Sequence, residues 1–377
     1  MVINKSSLVS IALALSIVFS SMKLITVIGY DFRPPFFVLL IFYLFYARYN
    51  LNALIFFITT LLYLTLIYSF NANQSDDLEF FKSFALYSYS FLFFILTINV
   101  DEGVKRLIDF KTVLWSTAIL LISFELIQIC EQYALGTYTS WFWFDDFSIS
   151  TATDVGRFEA INLKGYMRPV SFLYEPGFLG EVLFFLIVLN DRNLKSKKLE
   201  AFLLFGLLCT ISALSILLCI FYYVFKLLVQ TSNRYIKLLY FFASLVTLFN
   251  FEKIYNASRI EEIFTEGTSG YIRLTEPFLE TLQILLGNTF GIPLGQSELV
   301  FNNSIFLILI YFGILTPFLF IFLYVQLKKY SVKGFALFQY TFVFTSILLV
   351  NGALFTPESA LLLGILNYSF INGDANA

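Results

Sequence analysis

Apolar residues fall along this chain in long runs, each closed off by charged residues. Runs of that kind predict membrane-spanning helices near 8–28, 35–47, 51–70, 83–100, 112–130, 177–190, 238–251, 303–327, 335–352 and 358–371. Several fall short of the roughly 20 residues that a straight crossing needs, so some are expected to be short or re-entrant. The run from Ala201 to Val229 is interrupted only by Lys226; it is too long for one crossing and short for two. Its flanks decide the parity. Arg192, Lys195, Lys197 and Lys198 precede it, and Arg234 and Lys237 follow it. Basic flanks stay on the cytoplasmic side, so the run crosses an even number of times, as two short helices folding back near Ser212. The chain then reads as an all-α polytopic membrane protein with about twelve transmembrane helices, a single integral membrane domain over residues 1–377.

Composition points the same way. Of the residues, 59% are apolar and 13% charged, against about 25% charged in a soluble domain. That excludes a cytoplasmic enzyme, a secreted disulfide scaffold and a disordered chain. The run from Leu8 to Ile28 is longer than a signal-peptide core and has no convincing small-residue cleavage site, so it is expected to stay as an uncleaved first span. With the N-terminus inside, fifteen of the 24 Lys and Arg face the cytoplasm with six Asp and Glu, while the outer loops hold eight basic and eighteen acidic residues. Lys23, Glu125 and Glu181 fall within spans. Two long segments then face outward, 131–176 and 252–302, and every inner loop is short. Neither ATP nor a nucleotide sugar is available on that side.

Absences narrow the chemistry. There is no histidine, hence no imidazole base, no Ser-His-Asp triad and no His-ligated metal. Cys130, Cys209 and Cys219 lack CxxC spacing and read as small buried hydrophobes. Asp145-Asp146 is not a DxD motif, and Asp76, Asp77 and Glu79 read as surface acidity in a short outer loop. No metal and no cofactor are expected.

The first outer segment contains Arg157, Lys164 and then RPVSFLYEPGFLGE, residues 168–181. Pro176 suits the first turn of a helix whose start Glu175 flanks, and the Arg168–Pro169 step favours extended backbone before it. Arg168 and Glu175 are thereby expected at the outer membrane edge, with Glu181 one to two turns deeper in the same span. A carboxylate at a helix start is also a plain stabilising feature, but an ionisable group inside lipid is a functional hypothesis by default. The second segment holds GYIRLTEPFLE, residues 270–280, again an arginine before a Glu-Pro helix start. The glycine- and proline-rich stretch 287–295 that follows reads as a loop. Asn302 and Asn303 then lead into a span, placed either to bind sugar hydroxyls or to cap that helix. The aromatic cluster between Tyr133 and Phe147 fits an interfacial belt, with stacking on sugar rings as the alternative.

The order of RPVSFLYEPGFLGE, a short basic loop, a helix pair, a second outer arginine, LLGNTFGIPLG (285–295) and FNNSIFLILIYFGIL (301–315) resembles the bacterial O-antigen polymerases (Wzy) and the related O-antigen ligases. It covers roughly residues 131–330. Ser171 stands where those families commonly have glycine, and Asn302 where ligases typically have histidine, so the polymerase is the reading preferred over the ligase. A lipid-oligosaccharide flippase is the other alternative, but it would concentrate ionisable groups at the bilayer midplane and keep its loops short. The resemblance implies a GT-C-type fold of the polymerase and ligase kind. It also implies a glycosyltransferase in the bacterial inner membrane, facing the periplasm, that moves a growing glycan from undecaprenyl diphosphate onto a lipid-linked repeat unit. Its partners would be those two lipid-linked glycans, the bilayer and a chain-length regulator, with no nucleic acid. In that setting Arg168 and Arg273 are expected to clamp the donor diphosphate, since a planar guanidinium stays charged and matches phosphate oxygens. Glu175 is the candidate base, and Arg157, Arg259, Tyr174, Asn302 and Asn303 are the candidate substrate-binding residues.

Overall fold

A computed structural model describes residues 5–97, 108–135, 162–230, 264–295, 304–350 and 356–372, short stretches within them apart. Helix dominates. In chain order the helices are α1 (Lys5–Val18), α2 (Pro34–Tyr46), α3 (Leu51–Phe70), α4 (Asp77–Thr97), α5 (Phe110–Leu135), α6 (Pro176–Asn193), α7 (Lys197–Cys209), α8 (Ala213–Gln230), α9 (Glu276–Gly287), α10 (Ser304–Phe312), α11 (Thr316–Lys329), α12 (Gly334–Val350) and α13 (Pro357–Asn372). A π turn, Tyr271–Thr275, leads into α9, and a 3-10 turn, Gly313–Leu315, separates α10 from α11. Among the described residues, Leu51–Phe70, Phe110–Leu135 and Ser304–Val325 are long and apolar enough to cross a membrane. The protein is membrane-embedded and predominantly helical.

Two short antiparallel hairpins qualify the all-α expectation: β1 (Ile25–Val27) with β2 (Tyr30–Phe32), and β3 (Asn162–Leu163) with β4 (Tyr166–Met167). The first of them corrects the expected span 8–28. Helix α1 stops at Val18, after 14 residues, about 21 Å at 1.5 Å per residue and short of a hydrocarbon core of roughly 30 Å. Ser20 and Ser21 favour a helix end, and β-branched Ile25, Thr26 and Val27 suit a strand. The other boundaries lie closer to expectation. The break near Ser212 falls between Cys209 and Ala213, where the Thr210 hydroxyl donates to Leu207 O (2.8 Å) and accepts the Ser212 N–H (3.1 Å). Helix α5 runs on to Leu135, five residues into the expected outer segment. The expected span 238–251 lies outside the described residues.

The chain divides into two compact units. The first comprises Met1–Phe57, Leu86–Ile216 and Phe355–Ala377. Its centre is α6, buried all round from Phe178 to Asn190, as befits a helix with no polar face. Helices α5, α7 and α13 pack on α6, and α1 packs along α5. The basic turn after α6 is locked at Asn190, whose side chain accepts the Ser196 N–H (3.2 Å) and donates to Ser196 O (3.1 Å). Arg192 lies 5.4 Å from the centroid of the Phe370 ring. The cysteines are free; Cys219 is buried as expected, whereas Cys209 is half-buried and Cys130 exposed.

The second unit comprises Ile58–Ala85 and Leu217–Leu354. Helix α8 meets α12 through a buried hydrogen bond from Gln339 to the Tyr222 hydroxyl (2.7 Å) and the stacked rings of Phe225 and Phe338. Helix α10 packs against both α9 and α12.

Candidate active site

In the first unit, Arg168 follows β4 directly and stands outside any regular element, ahead of Pro169. The chain then turns sharply. Leu173 N–H donates to Val170 O (3.0 Å), closing a four-residue turn whose first central residue, Ser171, has φ +54°. Two side-chain groups hold this turn to α5. The Gln128 carbonyl oxygen accepts the backbone N–H groups of both Val170 (3.0 Å) and Ser171 (2.8 Å), and the Ser171 hydroxyl donates to Leu121 O (2.9 Å). Phe172 is wedged edge-on against Phe19 and Phe124. Arg168 is thus partly buried two residues ahead of a turn with a fixed seat, upstream of the start of α6 at Pro176. Glu181 lies on α6 and is fully buried.

Other charged groups of this unit have identifiable surroundings. Arg33, ahead of α2, pairs with Glu358 in the first turn of α13 (3.0 Å). Glu358 borders a small cleft with Ser20, Phe178 and Val182. Glu125 is fully buried on α5, and its carboxylate has no hydrogen-bond partner among the described residues.

In the second unit, the backbone of Arg273 lies in the π turn, three residues ahead of Glu276 at the start of α9. The two arginine segments therefore differ in backbone: Arg168 lies outside any regular element, and Arg273 within a π turn. Burial, and then the charge of Glu276 one turn earlier, hold the Glu280 carboxyl above the usual carboxylate range. The glycine-rich stretch is a loop, as expected, but a docked one. In an unbroken helix Ile314 N–H would donate to Ile310 O. Here Ile314 N–H donates to Thr289 O (3.0 Å), and Ile310 O accepts the N–H of Ile292 (3.0 Å). Gly291 (φ +101°) and Gly313 (φ +47°) allow this approach. A Cβ on Gly291 would lie 2.6 Å from Tyr311 O, and one on Gly313 would strike the Thr289 carbonyl. The Tyr63 hydroxyl donates to Phe290 O and lies 3.3 Å from Phe312 O. Beside the turn, a groove of about 540 Å³ is lined by Tyr63, Ile67, Phe70, Asn71, Asn288 and Thr289, among others. Asp77 and Glu79, expected in a loop, lie in the first turn of α4 and are already engaged: Asp77 accepts from the Tyr68 hydroxyl, and Glu79 pairs with Lys82 (2.8 Å).

Arg168 and Arg273 thus fall in different units. Arg157, Tyr174, Glu175, Arg259, Asn302 and Asn303 lie outside the described residues, as does the side chain of Arg273. Sequence reasoning missed Gln128 and the Arg33–Glu358 pair. The pair had a faint signal, a proline next to each partner at a helix start (Pro34 and Pro357).

Residues 8–370 match the family model of the WcaD colanic acid polymerases. The chain belongs to that family. It is accordingly a polysaccharide polymerase, a glycosyltransferase-type enzyme, in agreement with the resemblance drawn from the 168–181 and 285–315 stretches. Neither a curated protein nor a solved structure matches the polymerase.

Proposed function

We propose that the polymerase extends a surface polysaccharide of the O-antigen or colanic acid type at the periplasmic face of the bacterial inner membrane, drawing on glycan held on undecaprenyl diphosphate. The acceptor is one lipid-linked repeat unit. Its terminal hydroxyl attacks the anomeric carbon of the donor glycan, the bond from that carbon to the diphosphate oxygen breaks, and the diphosphate leaves with the electron pair. The hydroxyl proton passes to Glu175, a carboxylate being the side-chain base already ionised at neutral pH in a chain without histidine. Arg168 and Arg273 serve the donor diphosphate, offsetting the charge that grows on the leaving oxygen. Arg157, Arg259, Tyr174, Asn302 and Asn303 contact the glycans. The reaction needs neither a metal nor a nucleotide, and a chain-length regulator is the expected protein partner.

The observation that supports this reading best is the seat of Arg168: a permanent cation two residues ahead of a turn pinned to α5, at the end of a long segment that the charge pattern is expected to turn outward. Preorganised cations aimed at developing charge contribute about 3 kcal/mol, on the order of a hundredfold in rate. Arg168→Ala and Arg273→Ala are therefore each expected to abolish most chain extension while the protein stays in the membrane at normal levels. Arg273→Lys, which keeps the charge and loses the bidentate fork, is expected to be crippled too. Glycan gels of cells carrying each variant decide the matter: single repeats without polymer are the expected pattern, and full-length polymer from both alanine variants would overturn the assignment.

A further inference from the structure

The turn after Arg168 is built around a group from elsewhere in the chain. Gln128 is fully buried on α5, and its single carbonyl oxygen takes two consecutive backbone N–H groups, Val170 at 3.0 Å and Ser171 at 2.8 Å. Both N–H groups are buried with their residues, so without that acceptor two donors would stand unsatisfied and the turn would have to move to reach others. The Ser171 hydroxyl adds a third bond to the same helix, on Leu121 O about two turns away. Arg168 is two residues from the first of these bonds, with only Pro169, whose ring restricts the backbone, between them.

From this juxtaposition we infer that Gln128 is a positioning residue for Arg168: by holding the Val170–Ser171 backbone to α5 it fixes where the guanidinium stands relative to the donor diphosphate. The inference rests on the proposed role of Arg168. Gln128 itself touches no reacting atom. A displacement of about 1 Å in a group serving the transition state costs roughly ten- to a hundredfold in rate, which sets the size of the expected effect.

The test is chain extension by full-length protein in detergent or vesicles, with lipid-linked repeat units as substrate and kcat and KM measured separately. Gln128→Leu removes the acceptor. Gln128→Asn keeps the amide but draws it back by one methylene, and serves if the leucine variant fails to accumulate. Gln128→Glu keeps an oxygen in place whether or not it is protonated. The first two are expected to lower kcat by roughly ten- to a hundredfold with little change in KM, and the third to restore most of it. An Arg168→Lys variant is expected to keep measurable residual activity, and in that background Gln128→Asn is expected to add little further loss.

Three results would overturn the inference: a fully active Gln128→Asn, a Gln128→Glu as impaired as the leucine variant at equal membrane levels, or losses at 128 and 168 that multiply independently. Full extension by Arg168→Ala would instead strike the role assigned to Arg168, a failure visible before any change at Gln128 is made.

Discussion

At φ +54° a Cβ crowds the backbone, and glycine is the residue that escapes the penalty. Serine holds that conformation at 171 with help from its hydroxyl, which donates to Leu121 O. Ser171→Gly would relieve the crowding and lose the bond, and the two effects offset to within about 1 kcal/mol. Ser171→Ala keeps the crowding and loses the bond, so it is expected to be the less stable variant, by about 1 kcal/mol against the parent. Thermal melting of the purified protein in detergent separates them; equal losses for both would show that the backbone conformation carries no cost. The family resemblance drew attention to this position, since it led to an expectation of glycine there. It did not announce Gln128. A glutamine in an apolar run looks the same whether its amide meets a neighbour or, as here, backbone 42 residues further on, and nothing in the local sequence records a contact made to backbone.

Helix boundaries were legible to within a few residues where charge closed the apolar run, as for α3 and α6. They were misjudged where serine and β-branched residues ended a helix inside one, as in α1. The docked turn at 288–292 was legible only as a loop, since its bonds to the 310–314 break join backbone to backbone and depend on no side chain. The glycines at 291 and 313 are the trace it leaves. Gly313→Ala places a methyl against the 289–290 backbone at an unfavourable φ and is expected to destabilise the protein by more than about 2 kcal/mol. Gly287→Ala, with open space around the new methyl, serves as the control and should leave the melting temperature nearly unchanged. On α9, the raised Glu280 carboxyl has a stability consequence of definite sign. Folding favours its protonated form, so its contribution is fully present below the ordinary carboxylate pKa and is lost as pH rises through the folded value. Glu280→Gln is therefore expected to melt higher than the parent at neutral pH, with the difference vanishing towards pH 4; a constant difference across that range would contradict the shift.

For the whole molecule, the charge pattern predicts sides that can be tested directly. A reporter active only in the periplasm is expected to work when fused after residue 145 or 285 and to be silent after 195 or 330. Activity at 195 would invert the loops and remove the case for an external site. The bonds exchanged between the 288–292 turn and the broken span also set an order of events during synthesis. A chain leaves the ribosome N-terminus first, so Tyr63 and the turn are already made when Ile310 and Ile314 enter the translocation machinery. The kinked helix meets its acceptor and donor as it partitions into lipid. In the reverse gene order, an unpaired N–H and C=O would wait in hydrocarbon, at a cost of several kcal/mol each. Vectorial translation thus delivers a discontinuous transmembrane helix whose missing hydrogen bonds are completed by sequence upstream of it.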